Sequence, residues 1–70
     1  MHSSKIVEIL KKRRELLGIT QEHLSDLSGV SLRTLKALES GKSNPTLGTL
    51  TKLIKVLGME FRLEIKQPKL

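Results

Sequence analysis

The sequence predicts an all-α domain of four short helices followed by one β-strand. Up to Gly58, apolar residues recur every three or four positions in four segments, which is the period of an amphipathic helix. After Gly58 they alternate with charged residues, which is the period of a half-buried strand. The 70 residues contain no cysteine, so aliphatic packing must stabilise one small domain. We expect residues 1–58 to form the helical domain and residues 59–70 a C-terminal strand and tail.

The first predicted helix runs from Ser4 to a stop at Gly18. Its apolar residues lie at helical spacing, and Arg13 or Arg14 interrupts the inner face that they form. The residues expected on this inner face are Ile6, Ile9, Leu10, Leu16 and Leu17.

The second helix is predicted to begin at Thr20, whose hydroxyl can cap the first turn. Glu22 lies in that turn, where a negative charge suits the positive end of the helix dipole. Leu24 and Leu27 are expected to face inward, and Gly29 ends the helix after about two turns.

The third helix is predicted between a cap at Ser31 and a left-handed closing residue at Gly41. Its inner residues, Leu35 and Leu38, continue an apolar set that begins at Val30. This helix is also short.

The fourth helix follows a loop at Ser43-Asn44-Pro45, since proline disfavours helical angles in the residue before it. Thr46 can cap this helix and Gly58 can stop it, while Gly48 weakens the prediction slightly. The residues expected to face inward are Leu47, Leu50, Leu53, Ile54 and Leu57.

The last predicted element is a strand that ends before Pro68. The apolar set is Met59, Phe61, Leu63 and Ile65, and the set that alternates with it is Glu60, Arg62, Glu64 and Lys66. No other segment has a strand pattern, and an unpaired strand leaves backbone groups without partners. We therefore expect this strand to pair with its own copy across a two-fold axis, as a homodimer. A disordered or helical tail is the alternative.

The charge balance favours a polyanionic partner. Thirteen Lys and Arg against seven Asp and Glu give a net charge of +6 and a pI of about 10.1. Nucleic acid fits this charge, and an anionic membrane surface is the alternative. Phe61 is the only aromatic residue, so the stacking platform of single-strand binders is missing.

The N-terminus has no signal-peptide pattern and no stretch reaches the length of a membrane span, so we expect a soluble cytoplasmic protein.

The second and third helices match the spacing of a helix-turn-helix unit. Counting from Gln21, the small residue Ser25 is fifth and Gly29 is ninth, and apolar residues occupy positions ten, fifteen and eighteen. The chain from about residue 6 to residue 58 resembles the phage-repressor/Cro family, also called XRE-type regulators. The residues that carry the resemblance are Gly18-Ile19-Thr20-Gln21, Leu24, Gly29-Val30-Ser31, Leu35, Glu39, Gly41 and Asn44-Pro45. The resemblance implies a lambda-repressor-like, all-helical domain that binds a double-stranded DNA operator, usually as a dimer and usually as a repressor.

The resemblance also implies DNA contacts. The base-reading positions are Ser31, Leu32, Arg33, Lys36 and Ala37, on the side of the third helix opposite Leu35 and Leu38. Arg33 and Lys36 can donate to guanine, whereas Leu32 and Ala37 can only contact an apolar group such as a thymine methyl. Leu32 stands where family members often carry glutamine, and an ordinary surface role is its alternative. The phosphate-binding positions are Gln21, Thr34, Ser40, Lys42, Ser43 and Asn44, for which a solvated polar side chain is the alternative.

Arg14 and Glu39 resemble a partly buried ion pair of the family that joins two helices. Their implied role is structural, because removal of one partner leaves the other charge uncompensated. The run Lys11-Lys12-Arg13-Arg14 also fits a nuclear-localisation patch, but on an amphipathic helix we interpret it as a solvated face with one buried member.

Catalysis is not expected. The only histidines are His2 and His23, no third metal ligand stands at a suitable spacing, and no phosphate-binding glycine loop is present. Glu22 and Asp26 lie four residues apart on the second helix, a common arrangement of surface carboxylates. We expect no metal and no cofactor.

Two functions from different classes remain. The first is a sequence-specific repressor whose dimer blocks polymerase, and the second is an interaction module that mainly binds a partner protein. The strand after the fourth helix makes the chain similar to HipB-like antitoxins, which dimerise through such a strand, repress their own operon and associate with a HipA-type kinase toxin. A phage or restriction-modification controller would share the same first fifty-odd residues.

Overall fold

Four helices form the body of the chain in a computed structural model that describes residues 4–67. They are α1 (Ser4–Leu16), α2 (Gln21–Ser28), α3 (Leu32–Glu39) and α4 (Leu47–Val56). The predicted all-α domain with four helices is therefore confirmed. Residues 1–3 of the predicted domain and residues 68–70 of the predicted tail lie outside the described part. None of the described helices is long and apolar enough to span a bilayer.

Three helices begin at the hydroxyl residues that the sequence marks as caps. Thr20, Ser31 and Thr46 each accept a hydrogen bond from the backbone N–H three residues later, at 3.0 to 3.1 Å. Each bond satisfies one of the backbone donors that have no partner at the start of a helix. Short-range chemistry thus determines where α2, α3 and α4 begin.

The core lies where α2 packs against both α3 and α4, and where α1 covers α3. Leu24, Leu53 and Leu57 are its most deeply buried side chains. The full cluster of buried residues is Leu10, Leu24, Val30, Leu35, Leu38, Leu50, Leu53, Ile54 and Leu57. Aliphatic packing therefore stabilises the domain, as the absence of cysteine requires.

Five residues predicted to face the core are instead exposed, so those predictions are wrong. They are Ile9, Leu16, Leu17, Leu27 and Leu47. Val7, which the predicted inner face left out, is buried in α1. Periodicity gives the direction of a side chain, but burial also needs a neighbouring element that reaches it. Leu16 and Leu17 lie where α1 ends, and Leu47 lies in the first turn of α4.

The C-terminal segment, residues 59–67, leaves the body after α4 closes. The backbone N–H of Met59 donates to the carbonyl of Ile54 at 2.9 Å. Beyond Met59 the segment becomes exposed: Leu63 and Ile65 are both 101% exposed. The described residues of a single chain contain no β-strand, because a strand needs a pairing partner and the other elements are helices. Pairing between two copies stays a prediction.

Candidate nucleic-acid interface

The turn between α2 and α3 is built around Gly29. Its φ of 77° lies in the left-handed region, which disfavours residues that carry a Cβ atom. The N–H of Gly29 donates to the Ser25 carbonyl at 3.0 Å, and the Ser25 hydroxyl donates to the Val30 carbonyl at 2.6 Å. The Ser28 hydroxyl accepts from the Val30 N–H at 3.1 Å. These bonds fix the direction in which α3 leaves α2.

α3 has one buried side and one accessible side. Leu35 and Leu38, each 2% exposed, anchor it in the core. The reading face is the predicted base-reading set, of which Ser31, Arg33 and Lys36 are exposed and Leu32 and Ala37 are half-buried. A helix anchored by two leucines can thus present two cationic side chains without exposing its own apolar side.

The N-terminal end of α3 is closed by its own hydroxyl groups. The Ser31 hydroxyl accepts from the backbone N–H of Thr34 at 3.1 Å and donates to the Thr34 hydroxyl at 2.9 Å. Both side chains are exposed. Each hydroxyl oxygen retains a lone pair, so either can accept a further hydrogen bond.

The C-terminal end of α3 leads into an exposed polar turn. Ser40 ends the helix, and its hydroxyl donates to the Ala37 carbonyl at 3.1 Å. The backbone N–H of Lys42 donates to the same carbonyl at 2.9 Å, which ties the turn to the last turn of α3. Ser40, Lys42, Ser43 and Asn44 are all exposed, so the predicted phosphate-binding residues of this turn are accessible.

Positive charge dominates α3 and the turn after it. Arg33, Lys36 and Lys42 are exposed, and none of them forms an ion pair with another residue between positions 4 and 67. Glu39 is the only acidic residue from Ser31 to Asn44, and its carboxylate is paired elsewhere. The surface therefore presents cations that a polyanion could neutralise.

Arg14 joins α1 to the end of α3 through Glu39. Its Nε lies 2.7 Å from Glu39 Oε2 and its Nη2 lies 2.8 Å from Oε1, which is a bidentate pair. The remaining Nη1 donates to the Ile19 carbonyl at 2.7 Å. The two side chains are only 12% and 8% exposed. This pair, which the family resemblance implied, links three parts of the chain: α1, the loop before α2, and α3.

The predicted phosphate contact Gln21 belongs to the same network. Its Nε2 donates to Glu39 Oε1 at 2.9 Å. Nothing in the sequence indicated this contact, because Gln21 and Glu39 are 18 residues apart on different helices. The hydrogen bond sets the orientation of the Gln21 carboxamide at the first residue of α2.

The network also sets the charge states of the pair. Burial by itself would raise the pKa of Glu39, but hydrogen bonds from Arg14 and Gln21 outweigh it and hold that pKa below its usual value. The hydrogen bond to Glu39 raises the pKa of Arg14, and burial opposes this effect. Both groups therefore stay charged at neutral pH.

Arg13, the other candidate for interrupting the inner face of α1, binds a different helix end. Its Nε donates to the carbonyl of Leu57 at 2.9 Å, next to Gly58. Consecutive arginines thus hold the C-terminal ends of two helices, α3 through Arg14 and α4 through Arg13. The sequence alone did not separate these two roles.

A family model described as helix-turn-helix matches residues 10–63. The chain belongs to the helix-turn-helix family. The match includes α2, the Gly29 turn and α3, and it extends through α4 into the C-terminal segment.

Several helix-turn-helix relatives are similar over most of the chain. An uncharacterized HTH-type transcriptional regulator of Haemophilus influenzae is 42% identical over 53 residues, which is 76% of this chain and 54% of that protein. One of Methanothermobacter thermautotrophicus is 36% identical over 52 residues, or 74% of this chain and 75% of that protein. The SPbeta prophage-derived uncharacterized HTH-type transcriptional regulator YonR of Bacillus subtilis is 40% identical over 59 residues, or 84% of this chain and 55% of that protein. The chain thus matches about half the length of the Haemophilus and Bacillus relatives.

Proposed function

We propose that this helix-turn-helix protein is a cytoplasmic transcriptional regulator that binds a specific double-stranded DNA operator as a homodimer. The observation that carries the proposal is the reading face of α3. It presents Arg33 and Lys36 without ion-pair partners among residues 4–67, on a helix whose other side is anchored in the core. A helix of this kind, set by a tight turn, can enter the major groove.

Base recognition falls to the reading face. Arg33 and Lys36 donate to guanine O6 and N7, and Leu32 and Ala37 contact thymine methyl groups. The half-burial of Leu32 and Ala37 supports an apolar role, because each offers a small, fixed contact area instead of a mobile polar group. Ser31 accepts at the edge of the contact, because its hydroxyl proton is donated to Thr34.

The phosphate-binding residues lie at the start of α2, at the start of α3 and in the turn after α3. Thr34, Ser40, Lys42, Ser43 and Asn44 lie on exposed surface at the start of α3 and in the turn after it. Gln21 uses one amide hydrogen on Glu39 and keeps the other for a phosphate oxygen at the N-terminus of α2. Such contacts fix the register of the protein on the duplex without reading its sequence.

Regulation is steric in this proposal. A dimer joined through the C-terminal segment places two copies of α3 in successive major grooves, about 34 Å apart, and occupancy of the operator excludes polymerase. The exposed apolar residues Leu63 and Ile65 support this role of the segment, since a single chain leaves them uncovered.

The specific role that we propose is autorepressor and antitoxin of a HipA/HipB-like operon. The feature that supports it is a helical domain followed by one unpaired segment in which apolar and charged residues alternate, which resembles that subgroup. The dimer would then have a second partner, a HipA-type kinase toxin, besides the operator.

A titration with labelled DNA tests the proposal. Fluorescence anisotropy compares the duplex from just upstream of the gene with a scrambled duplex, at two salt concentrations. We expect a preference of roughly a thousandfold or more for the upstream duplex, together with a steep salt dependence. Equal, weak binding to both duplexes would contradict autoregulation and favour the interaction module, whose main ligand is a protein.

A second candidate is a prophage or restriction-modification controller, which the 40% identity to the prophage-derived YonR favours. The neighbouring gene separates the candidates. A kinase-like reading frame supports the antitoxin, and a methyltransferase, endonuclease or phage cluster supports the controller. Both candidates share the same DNA-binding face.

A further inference from the structure

The C-terminal segment separates charged and apolar side chains onto two sides. Arg62 Nε lies 3.6 Å from Glu60 Oε1, so these alternate residues share a side, and both are largely exposed. The residues that alternate with the charged set are apolar: Phe61 is 43% exposed, and Leu63 and Ile65 are fully exposed. One side is therefore an apolar row, of which Leu63 and Ile65 have no cover in the described chain.

The order of the charges along the other side predicts how two copies of the segment align when they pair. In an antiparallel pair around a two-fold axis, directly opposed residues lie on the same face of the ribbon. With Leu63 on the axis, Arg62 faces the partner's Glu64 and Glu60 faces the partner's Lys66. Each of these pairs occurs twice by symmetry. All four charged residues from 60 to 66 then oppose a charge of the other sign.

Other registers match fewer charges. An axis at Phe61 opposes only Glu60 to the partner's Arg62. An axis at Ile65 opposes only Glu64 to the partner's Lys66. An axis at Arg62 opposes Arg62 to its own copy and Glu60 to the partner's Glu64. An axis at Glu64 opposes Glu64 to its own copy and Arg62 to the partner's Lys66. A parallel, in-register pair would oppose every charge to an identical one, and an axis between two residues would place apolar side chains against charged ones.

We propose that the C-terminal segment binds a second copy of this chain in one register, antiparallel with Leu63 on the two-fold axis. This inference rests on the homodimer of the proposed function and specifies its geometry. The register places the partner's Ile65 opposite Phe61. Phe61 borders a groove of about 180 Å³, whose other apolar lining is Ile6, Ile9, Leu10, Ile54 and Met59.

The partner's Ile65 therefore covers the mouth of this groove. Ile9, which is 47% exposed in the single chain, gains apolar cover from the same contact. One partner molecule thus covers two groups of exposed apolar residues, one on the C-terminal segment and one on α1.

Charge reversal at two positions tests the register. Arg62→Glu and Glu64→Arg each turn two opposite-charge pairs into like-charge pairs, so each variant alone should dimerise about tenfold or more weakly at low salt. An equimolar mixture of the two restores every pair between unlike chains, so it should form heterodimers of nearly wild-type affinity. The double variant Arg62→Glu/Glu64→Arg should dimerise by itself. Sedimentation equilibrium measures all four samples.

Single cysteines give an independent readout, because the chain contains none. Leu63→Cys lies on the axis and should form a disulfide-linked dimer on mild oxidation. Arg62→Cys and Glu64→Cys should cross-link with each other in a mixture and poorly with themselves. All three positions lie outside the helices, so circular dichroism should match the wild type.

The outcomes separate the register from DNA binding. Heterodimer rescue together with cross-linking at position 63 supports the register. The register is overturned by any one of three results. Both single variants dimerise as tightly as the wild type, the mixture dimerises no more tightly than either variant alone, or the wild-type chain stays monomeric. Binding to a half-site duplex is measured in the same samples. If the register is wrong but the half-site is bound, the proposed DNA recognition is unaffected. If the half-site is not bound, that result contradicts the DNA recognition and not the register.

Discussion

Arg33 is the residue whose substitution should change base preference most directly. Its guanidinium is exposed on α3 and forms no ion pair with another residue between positions 4 and 67. Arg33→Ala should cost about 1–3 kcal/mol on the operator and relax the preference at one base pair of each half-site. Arg33→Lys is the matched control, because it keeps the charge and loses the planar fork. Equal losses on operator and random DNA would contradict the reading role.

Lys42 should contribute charge without sequence information, since it lies in the turn after α3. Lys42→Ala should weaken binding to every duplex by a similar factor and lower the slope of log affinity against log salt by about 1 for each half-site. Titrations at three or more salt concentrations measure this slope. A change confined to the operator would assign Lys42 to base recognition instead.

Glu39 should stabilise the fold more than an ordinary surface acid, because it binds Arg14 and Gln21 with little exposure. Glu39→Gln leaves the Arg14 charge uncompensated and should lower the free energy of unfolding by about 3 kcal/mol at neutral pH. Urea denaturation measures this loss. Arg14→Met combined with Glu39→Leu should recover much of it, since neither charge then remains buried.

The same pair predicts a pH dependence. The pKa of Glu39 is lower in the folded state than its usual 4.5, so its contribution is fully present above about pH 4.5. The contribution is lost as the pH falls through the folded pKa. The difference in stability between wild type and Glu39→Gln should therefore narrow below pH 4.5 in thermal unfolding. A constant difference from pH 7 to pH 3 would contradict this.

At the level of the helices and their turns, replacing either of two glycines by alanine should change the free energy of unfolding in opposite directions. Gly29 has a φ of 77° and open space where a Cβ atom would lie, so Gly29→Ala should cost about 1 kcal/mol through the backbone alone. Gly48 lies in the first turns of α4 without positive φ, and the nearest contact of an added Cβ would be Thr46 Oγ1 at 3.9 Å. Gly48→Ala should therefore stabilise the fold by about 0.5 kcal/mol. Chemical denaturation of both variants tests the pair.

In the molecule as a whole, the C-terminal segment should be separable from the helical body. Met59 packs against the core and closes α4, whereas the residues after Glu60 expose their apolar side chains. A chain that stops after Glu60 should fold as a monomer and bind a half-site weakly, with the loss falling on cooperative binding to the full operator. An unchanged dimer mass in sedimentation equilibrium would rule out the segment as the dimer interface.

The helices, their boundaries and the family could be predicted from local sequence. Caps at Thr20, Ser31 and Thr46 and the glycine at position 29 act through bonds a few residues long, so their consequences follow from local spacing. The helix-turn-helix motif is local for the same reason.

The packing of the helices decided which apolar side chains are buried. It also decided which distant polar groups form hydrogen bonds with each other. Leu16, Leu27 and Leu47 have helical spacing but no neighbour that reaches them, so they are exposed. The Gln21 contact to Glu39 and the Arg13 contact to Leu57 join residues far apart in the chain. No local pattern specifies the packing that brings such residues together. Leu63 and Ile65 stay exposed because no other described element packs against them, and the dimer that would cover them stays a proposal.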